Sequence, residues 1–202
     1  MTTITILQEH VDKAAATSVP LHPLLARRWS PRAFDQAHEL TPQQVTALLE
    51  AARWAPSASN TQPWRFAVTH RGSAEHAAVL DTLTAGNRAW AHAASALIVV
   101  AAETVTGDGT ARPWAVYDAG QAVAHLSVQA EHEGLVVHQM GGFDRDRVAA
   151  LLGAARVTPL VVVAVGRRDG AFRLDPPLAG RELAARDRLP VEHLLLPVRP
   201  AA

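Results

Sequence analysis

Residues 55–66, Ala55-Pro56-Ser57-Ala58-Ser59-Asn60-Thr61-Gln62-Pro63-Trp64-Arg65-Phe66, crowd small and hydroxyl-bearing side chains between two prolines and then pass at once into an aromatic strand start. Upstream, Thr41-Pro42-Gln43-Gln44 reads as a helix entry. Thr41 can cap, Pro42 suits the first helical position and Gln44 completes a capping box. Val45, Leu48, Leu49 and Ala52 recur at helical spacing, which predicts a helix over 42–54 that Pro56 ends. Downstream, Trp64–Thr69 reads as a strand, with Trp64 and Phe66 as core anchors. The loop between is narrow and polar, and its Asn, Gln and hydroxyl groups suit a platform for a flat ligand better than a spacer.

Working outward, a helix is expected over Ala74–Leu83, stopping near Gly86, and a strand covered on both faces over Ser95–Ala102. Gly107-Asp108-Gly109 marks a turn. An alanine-rich helix is expected over Ala115–Glu133 with Gly134 as its C-cap. Then come a short strand over Leu135–Gln139, a helix over Asp146–Leu152 and an apolar strand over Pro159–Gly166. Helices and strands alternate without a regular βαβ rhythm, which predicts an α+β fold. The chain reads as one domain over 1–202, with an N-terminal extension (1–20) and an extended, proline-rich C-terminal segment (167–202) that could lie on a neighbouring subunit.

The bulk composition narrows the function. With 19 basic and 19 acidic residues the net charge is zero, so nothing argues for nucleic acid as partner. Cysteine is absent, which excludes disulfides, thiolate metal sites and thiol catalysis. Ten histidines are scattered without HExxH or a cluster at ligand spacing, so no metal is expected. GxSxG is missing, which argues against a serine hydrolase. The N-terminus lacks the basic head and apolar run of a signal peptide, and no apolar stretch is long enough to span a bilayer. The expectation is a soluble, cytoplasmic protein with no membrane partner.

Two arginine groups could hold a phosphate. Arg27-Arg28-Trp29-Ser30-Pro31-Arg32 places Arg28 and Ser30 two apart, on one side of an extended segment. Arg186-Asp187-Arg188 repeats that spacing. A phosphate monoester needs several fixed donors, and guanidinium supplies them as a rigid fork. Either group alone also reads as solvated surface arginine or as salt-bridge partners. No Gly-rich phosphate loop is present, so the site would have to be built from side chains. Met140-Gly141-Gly142-Phe143 could bring backbone N–H groups against a ligand, or could be a left-handed turn into the next helix.

Taken together, these pieces resemble the nitroreductase family of FMN-dependent oxidoreductases. The resemblance covers about Leu24 to Leu194. It runs through Arg28-x-Ser30-x-Arg32 with Phe34, the Ala55–Trp64 loop, Asn87-Arg88-Ala89-Trp90, Asp118-x-Gly120, Gly134-Leu135, Gly141–Asp144 and Arg186–Pro190. It implies a nitroreductase-like fold, a central, mostly antiparallel sheet flanked by helices, in an intertwined homodimer. It implies FMN as cofactor, with Arg28, Ser30, Arg186 and Arg188 at the phosphate, Arg32 near flavin N1 and Trp29 among the cofactor-binding residues. Asn87 would meet the pyrimidine edge and Gly141 and Gly142 would face N5. Pro56, Ser57 and Asn60 would meet the isoalloxazine from the other subunit. No side chain need be catalytic, since the flavin carries the chemistry. NAD(P)H would reduce it, and a small organic acceptor such as a nitroaromatic or quinone would reoxidise it by a ping-pong mechanism.

The chain departs from the family pattern at three places. Trp90 stands where lysine can occur, Gly141 where some members have glutamate, and His125 where asparagine is frequent. Two alternatives stay open: specialised chemistry on the same scaffold (dehalogenation, ene reduction, azoline oxidation, flavin fragmentation), and a protein that sequesters flavin without turnover. The segment 103–114 reads as a lid or substrate gate.

Overall fold

The computed structural model describes residues 13–171 and 173–199. The first part of the expected N-terminal extension, residues 1–12, lies outside them, as does most of the stretch read for a signal peptide.

Four strands form one sheet: β1 (Trp64–His70), β2 (Ala96–Glu103), β3 (Val136–Met140) and β4 (Val157–Gly166), in the order β1-β2-β4-β3. Every neighbouring pair is antiparallel. The helices are α1 (Pro23–Arg27), α2 (Pro42–Arg53), α3 (Ala74–Asp81), α4 (Ala85–Ala91), α5 (Ala115–His132), α6 (Arg145–Leu152) and α7 (Pro176–Leu183). The α+β reading and its antiparallel sheet are therefore observed.

β2 and β4 lie in the middle of the sheet, so both their faces need cover. Ile98, Val100, Val163 and Val165 pack with Leu48 and Ala52 of α2 and Ala119, Val123 and Leu126 of α5. Leu97, Val99, Val162 and Ala164 pack on the other face with Val79, Trp90 and Val148. Alternate residues of one strand thus serve two cores, which is why these strands read as unbroken apolar runs. Pro159 lacks an N–H, and the β2–β4 register slips between Val100 and Ala101 beside it.

The expected caps are present. Thr41 and Gln44 form the capping box of α2. Gly134, at φ +67°, ends α5, and Leu135 N–H reaches back to the Ala130 carbonyl at 2.8 Å. Three segments differ from expectation. Gly86 does not stop a helix but lies inside α4, and the short α1 ends at Arg27, the first residue of the first arginine group. The C-terminal segment is not extended throughout, because Pro176 and Pro177 open α7 after the N-cap Asp175. Proline in a first helical turn loses no hydrogen bond. Residues 103–114 are a hairpin closed on itself. Val105 pairs with Ala111, Thr106 N–H donates to Thr110 O at 2.8 Å, and Thr106 hydroxyl donates to Asp108. No helix among the described residues is long and apolar enough to cross a membrane, and no group of residues there could hold a metal ion.

Candidate functional site

The two arginine groups, about 160 residues apart in sequence, meet in space. Arg28 caps the end of α1, and burial together with the nearby charges of Arg186 and Arg188 pulls its guanidinium below the ordinary arginine range. Burial and Arg188 do the same to Arg186. Among the described residues none of Arg28, Arg32, Arg186 or Arg188 is in a salt bridge, whereas Arg27, Arg53, Arg88, Arg147 and Arg173 each are. Glu131, paired with Arg27, partly offsets the repulsion of these like charges at Arg28, and an anion joining the group would relieve it further. Arg186 also braces the backbone, since one terminal nitrogen donates to the Lys13 and Ala26 carbonyls. Arg188 is exposed, and a terminal nitrogen donates to the main-chain oxygen of its neighbour Asp187 at 2.7 Å.

The residue that joins these groups is Glu182 of α7, which sequence reasoning missed. It is fully buried, and both carboxylate oxygens accept from Arg32 N–H at 3.0 Å, one also from Ala33 N–H at 3.3 Å. Its charge is thus directed at backbone N–H groups, not at the arginine side chains. The contact pins the 28–33 segment to the helix that leads into Arg186. Ser30 and Pro31 direct their carbonyls at His138 on β3, whose Nδ1 donates to Pro31 O at 3.0 Å. Burial holds His138 down to about 4, so the ring is neutral near pH 7. It leans on Trp90 with centroids 4.5 Å apart.

Trp90 itself is buried, stacked against Phe34, and serves the core. The position expected to depart from the family pattern is thus filled by a buried aromatic side chain. Asn87 donates through its side-chain amide to Gly142 O at 3.0 Å, and Thr84 N–H reaches the same oxygen at 3.0 Å. A Cβ on Gly142 would come within 2.9 Å of the Asn87 amide nitrogen and 3.0 Å of the Thr84 hydroxyl, so a larger residue would displace the Asn87 side chain. Neither Gly141 nor Gly142 has positive φ, which removes the left-handed-turn reading of that pair. His125 is exposed on α5.

The loop 55–62 forms a separate region. Ser59, Asn60 and Gln62 have φ of +50°, +55° and +46°, conformations costly for side-chain-bearing residues. Buried Asp118 in the first turn of α5 accepts from Ala58 N–H at 3.1 Å, and Ser57 hydroxyl accepts from Gln62 N–H at 3.1 Å. Arg65 and Arg112, both paired with Glu103, reach the Gln62 and Thr61 carbonyls. Pro56 and Ser57 line a cavity of about 270 Å³ together with Trp114, Tyr117 and Gln121. A larger cleft, about 640 Å³, borders only Trp29 among the expected site residues, and Arg27 within it is ion-paired to Glu131. Neither of these two cavities is lined by both the loop and Arg28, Arg32, Arg186 or Arg188, and the loop's hydrogen bonds run to Asp118, Arg65 and Arg112.

Comparison with known proteins places the chain in a family. The Nitroreductase family profile matches residues 25–167. A solved structure described as an oxidoreductase containing FMN is 34% identical, with a TM-score of 0.85, covering 91% of this chain and 94% of its own. An uncharacterized 15.4 kDa protein of Mycolicibacterium smegmatis is 39% identical over 137 residues, 64% of this chain and 92% of its own. A Bacillus subtilis protein named "Putative NAD(P)H nitroreductase YdgI" is 24% identical over 182 residues, 71% of this chain and 86% of its own. With the profile covering most of the chain and the FMN-containing structure most of its length, the protein belongs to the nitroreductase family.

Proposed function

We propose that this protein binds FMN between two copies of itself and passes hydride from NAD(P)H to a small organic acceptor. The observation that carries the reading is the gathering of Arg28, Arg186 and Arg188 without an ion-paired carboxylate. A phosphate monoester, with nearly two negative charges and several acceptor oxygens, fits that donor set. The family membership and the FMN-containing relative support the same ligand.

When bound, FMN supplies the hydride chemistry, and the chain supplies position and charge. Arg28, Ser30, Arg186 and Arg188 would hold the phosphate, with Trp29 beside them. Arg32, whose backbone Glu182 fixes, would set its guanidinium near N1, where reduction accumulates negative charge. The Asn87 and Gly142 contact would shape the wall beside N5, and Gly141 would add a small, uncharged neighbour. Pro56, Ser57 and Asn60 would come from the partner copy. Two features support a homodimer: neither cavity described above joins the loop to the arginines, and Trp114, Tyr117, Leu195 and Leu196 are exposed at 62%, 66%, 70% and 89%. Burying such side chains against a second copy would remove apolar area from water.

The test is a visible spectrum of the protein supplemented with FMN, recorded anaerobically before and after NADPH or NADH. Bleaching of a bound flavin band near ~450 nm supports the reductase reading, and addition of a nitroaromatic or quinone should restore the band. Bound flavin that neither nucleotide reduces would favour the sequestering protein or a specialised chemistry. Arg28→Ala and Arg188→Ala should each weaken FMN binding at least about tenfold, the loss of one charge-assisted contact of about 1.5–3 kcal/mol. Unchanged affinity in both variants would remove the phosphate assignment.

A further inference from the structure

Lys13, the single lysine of the chain, lies beside Arg186 and Arg32 and lines the cleft of about 640 Å³ with Trp29 and Arg27. Its ammonium is 4.4 Å from the Trp29 ring centroid and donates to the main-chain oxygen of Glu182. Its own carbonyl accepts from Arg186. Burial lowers its pKa, the Glu182 charge opposes that, and Arg186 and Arg32 lower it further, so both arginines face it. Among the described residues it is in no salt bridge, because the Glu182 carboxylate is occupied by Arg32 and Ala33 N–H groups. An ammonium has three donors, and the Glu182 carbonyl takes one. Arg186, meanwhile, has given a terminal nitrogen to two backbone carbonyls, which leaves that arginine fewer donors for a ligand.

We infer that Lys13 is a further phosphate-binding residue, completing the donor set of Arg28, Ser30, Arg186 and Arg188, with the Trp29 face and the Glu182 carbonyl as its positioning contacts. The inference rests on the FMN reading. It assigns a ligand-binding role to a residue that precedes the first arginine motif and that no motif marked. The competing role is a strut: Lys13 could serve only to pin its own segment to α7.

Phosphate dependence separates the two. The full-length protein, freed of flavin, is titrated with FMN and with riboflavin, which lacks the phosphate, and flavin fluorescence is followed. Lys13→Met should weaken FMN roughly tenfold, one charge-assisted contact, and leave riboflavin unchanged. Lys13→Gln keeps a donor for the Glu182 carbonyl but no charge, and should lose the same preference for FMN. Lys13→Arg should restore most of it. Equal weakening of FMN and riboflavin in Lys13→Met, or full retention of the FMN preference in Lys13→Gln, would overturn the inference. If the unaltered protein shows no preference for FMN over riboflavin, the phosphate site itself is wrong. If it shows one that Lys13→Met leaves intact, only the role of Lys13 falls.

Discussion

The arginine cluster and the 55–62 loop solve opposite problems. The cluster gathers charge: Arg28, Arg186 and Arg188 come from the two ends of the chain, and a buried carboxylate fixes the backbone between them without neutralising them. The loop gathers almost no charge but stores conformational strain, with three side-chain-bearing residues at positive φ and one buried acceptor, Asp118, holding Ala58. One region has a surplus of positive charge, and the other a shaped, uncharged surface. The difference teaches that charge and shape are assembled by separate parts of this chain, and under the proposed function one flavin would need both.

The comparison breaks most visibly at Glu182. Glu182→Leu leaves the Arg32 and Ala33 N–H groups buried without acceptors, each costing about 1–3 kcal/mol. A loss of about 3 kcal/mol or more in urea unfolding is expected, with FMN retention lost alongside. Glu182→Gln keeps one acceptor oxygen and should lose less. A Leu variant as stable as the parent would show that the clamp is not what unites the arginines.

A second effect concerns His138, beside the cluster. Its folded pKa of about 4 lies below the ordinary 6.5, so the unfolded chain takes up a proton first as the pH falls. Stability should be unaffected above about pH 6.5 and decline between there and about pH 4, by on the order of 3 kcal/mol at most. His38 and His76 are also lowered, chiefly by burial, and add to the same window. His138→Gln should flatten the decline without abolishing it. An unchanged pH profile in that variant would mean that His138 titrates normally.

On the loop side the expected effects are smaller. Asp118→Ala removes the acceptor for Ala58 N–H and should cost about 1–2 kcal/mol, while weakening both FMN and riboflavin. That pattern differs from the phosphate-selective loss expected at Lys13, and a phosphate-selective loss here would merge the two regions into one. Smallest in the protomer is Trp114→Ser with Tyr117→Ser, which removes side chains that are exposed in the single chain. Helical content should be unchanged, whereas sedimentation should show dimer dissociation rising about tenfold. An unaltered dimer would place the interface elsewhere.

Local chemistry explains which parts were legible in the sequence. α2 and α5 carry their own start and stop signals in Thr41, Gln44 and Gly134, and β2 and β4 are apolar because both faces are covered. α7 was not legible: Pro176, Pro177 and Gly180 disguise it, and its Glu182 finds its partners about 150 residues away. α4 was hidden by Gly86, since the burial of Trp90 and Ala91 that supports it is a tertiary effect. The same reason applies to the site. Arg28 and Arg186 stood out by type and spacing, but Lys13 acquires its place only through contacts with α7 and Trp29.

The central claim is that the cluster of one copy and the loop of the other enclose one flavin. It is tested by coexpressing an Arg28→Ala/Arg188→Ala chain with a Ser57→Trp chain under different tags and counting FMN in the purified heterodimer. Each variant alone should be flavin-free. In the heterodimer, one site combines both defects and the other has neither, so the account predicts about one FMN per two chains. A flavin-free heterodimer would contradict it, because both regions would then serve a site within the same chain.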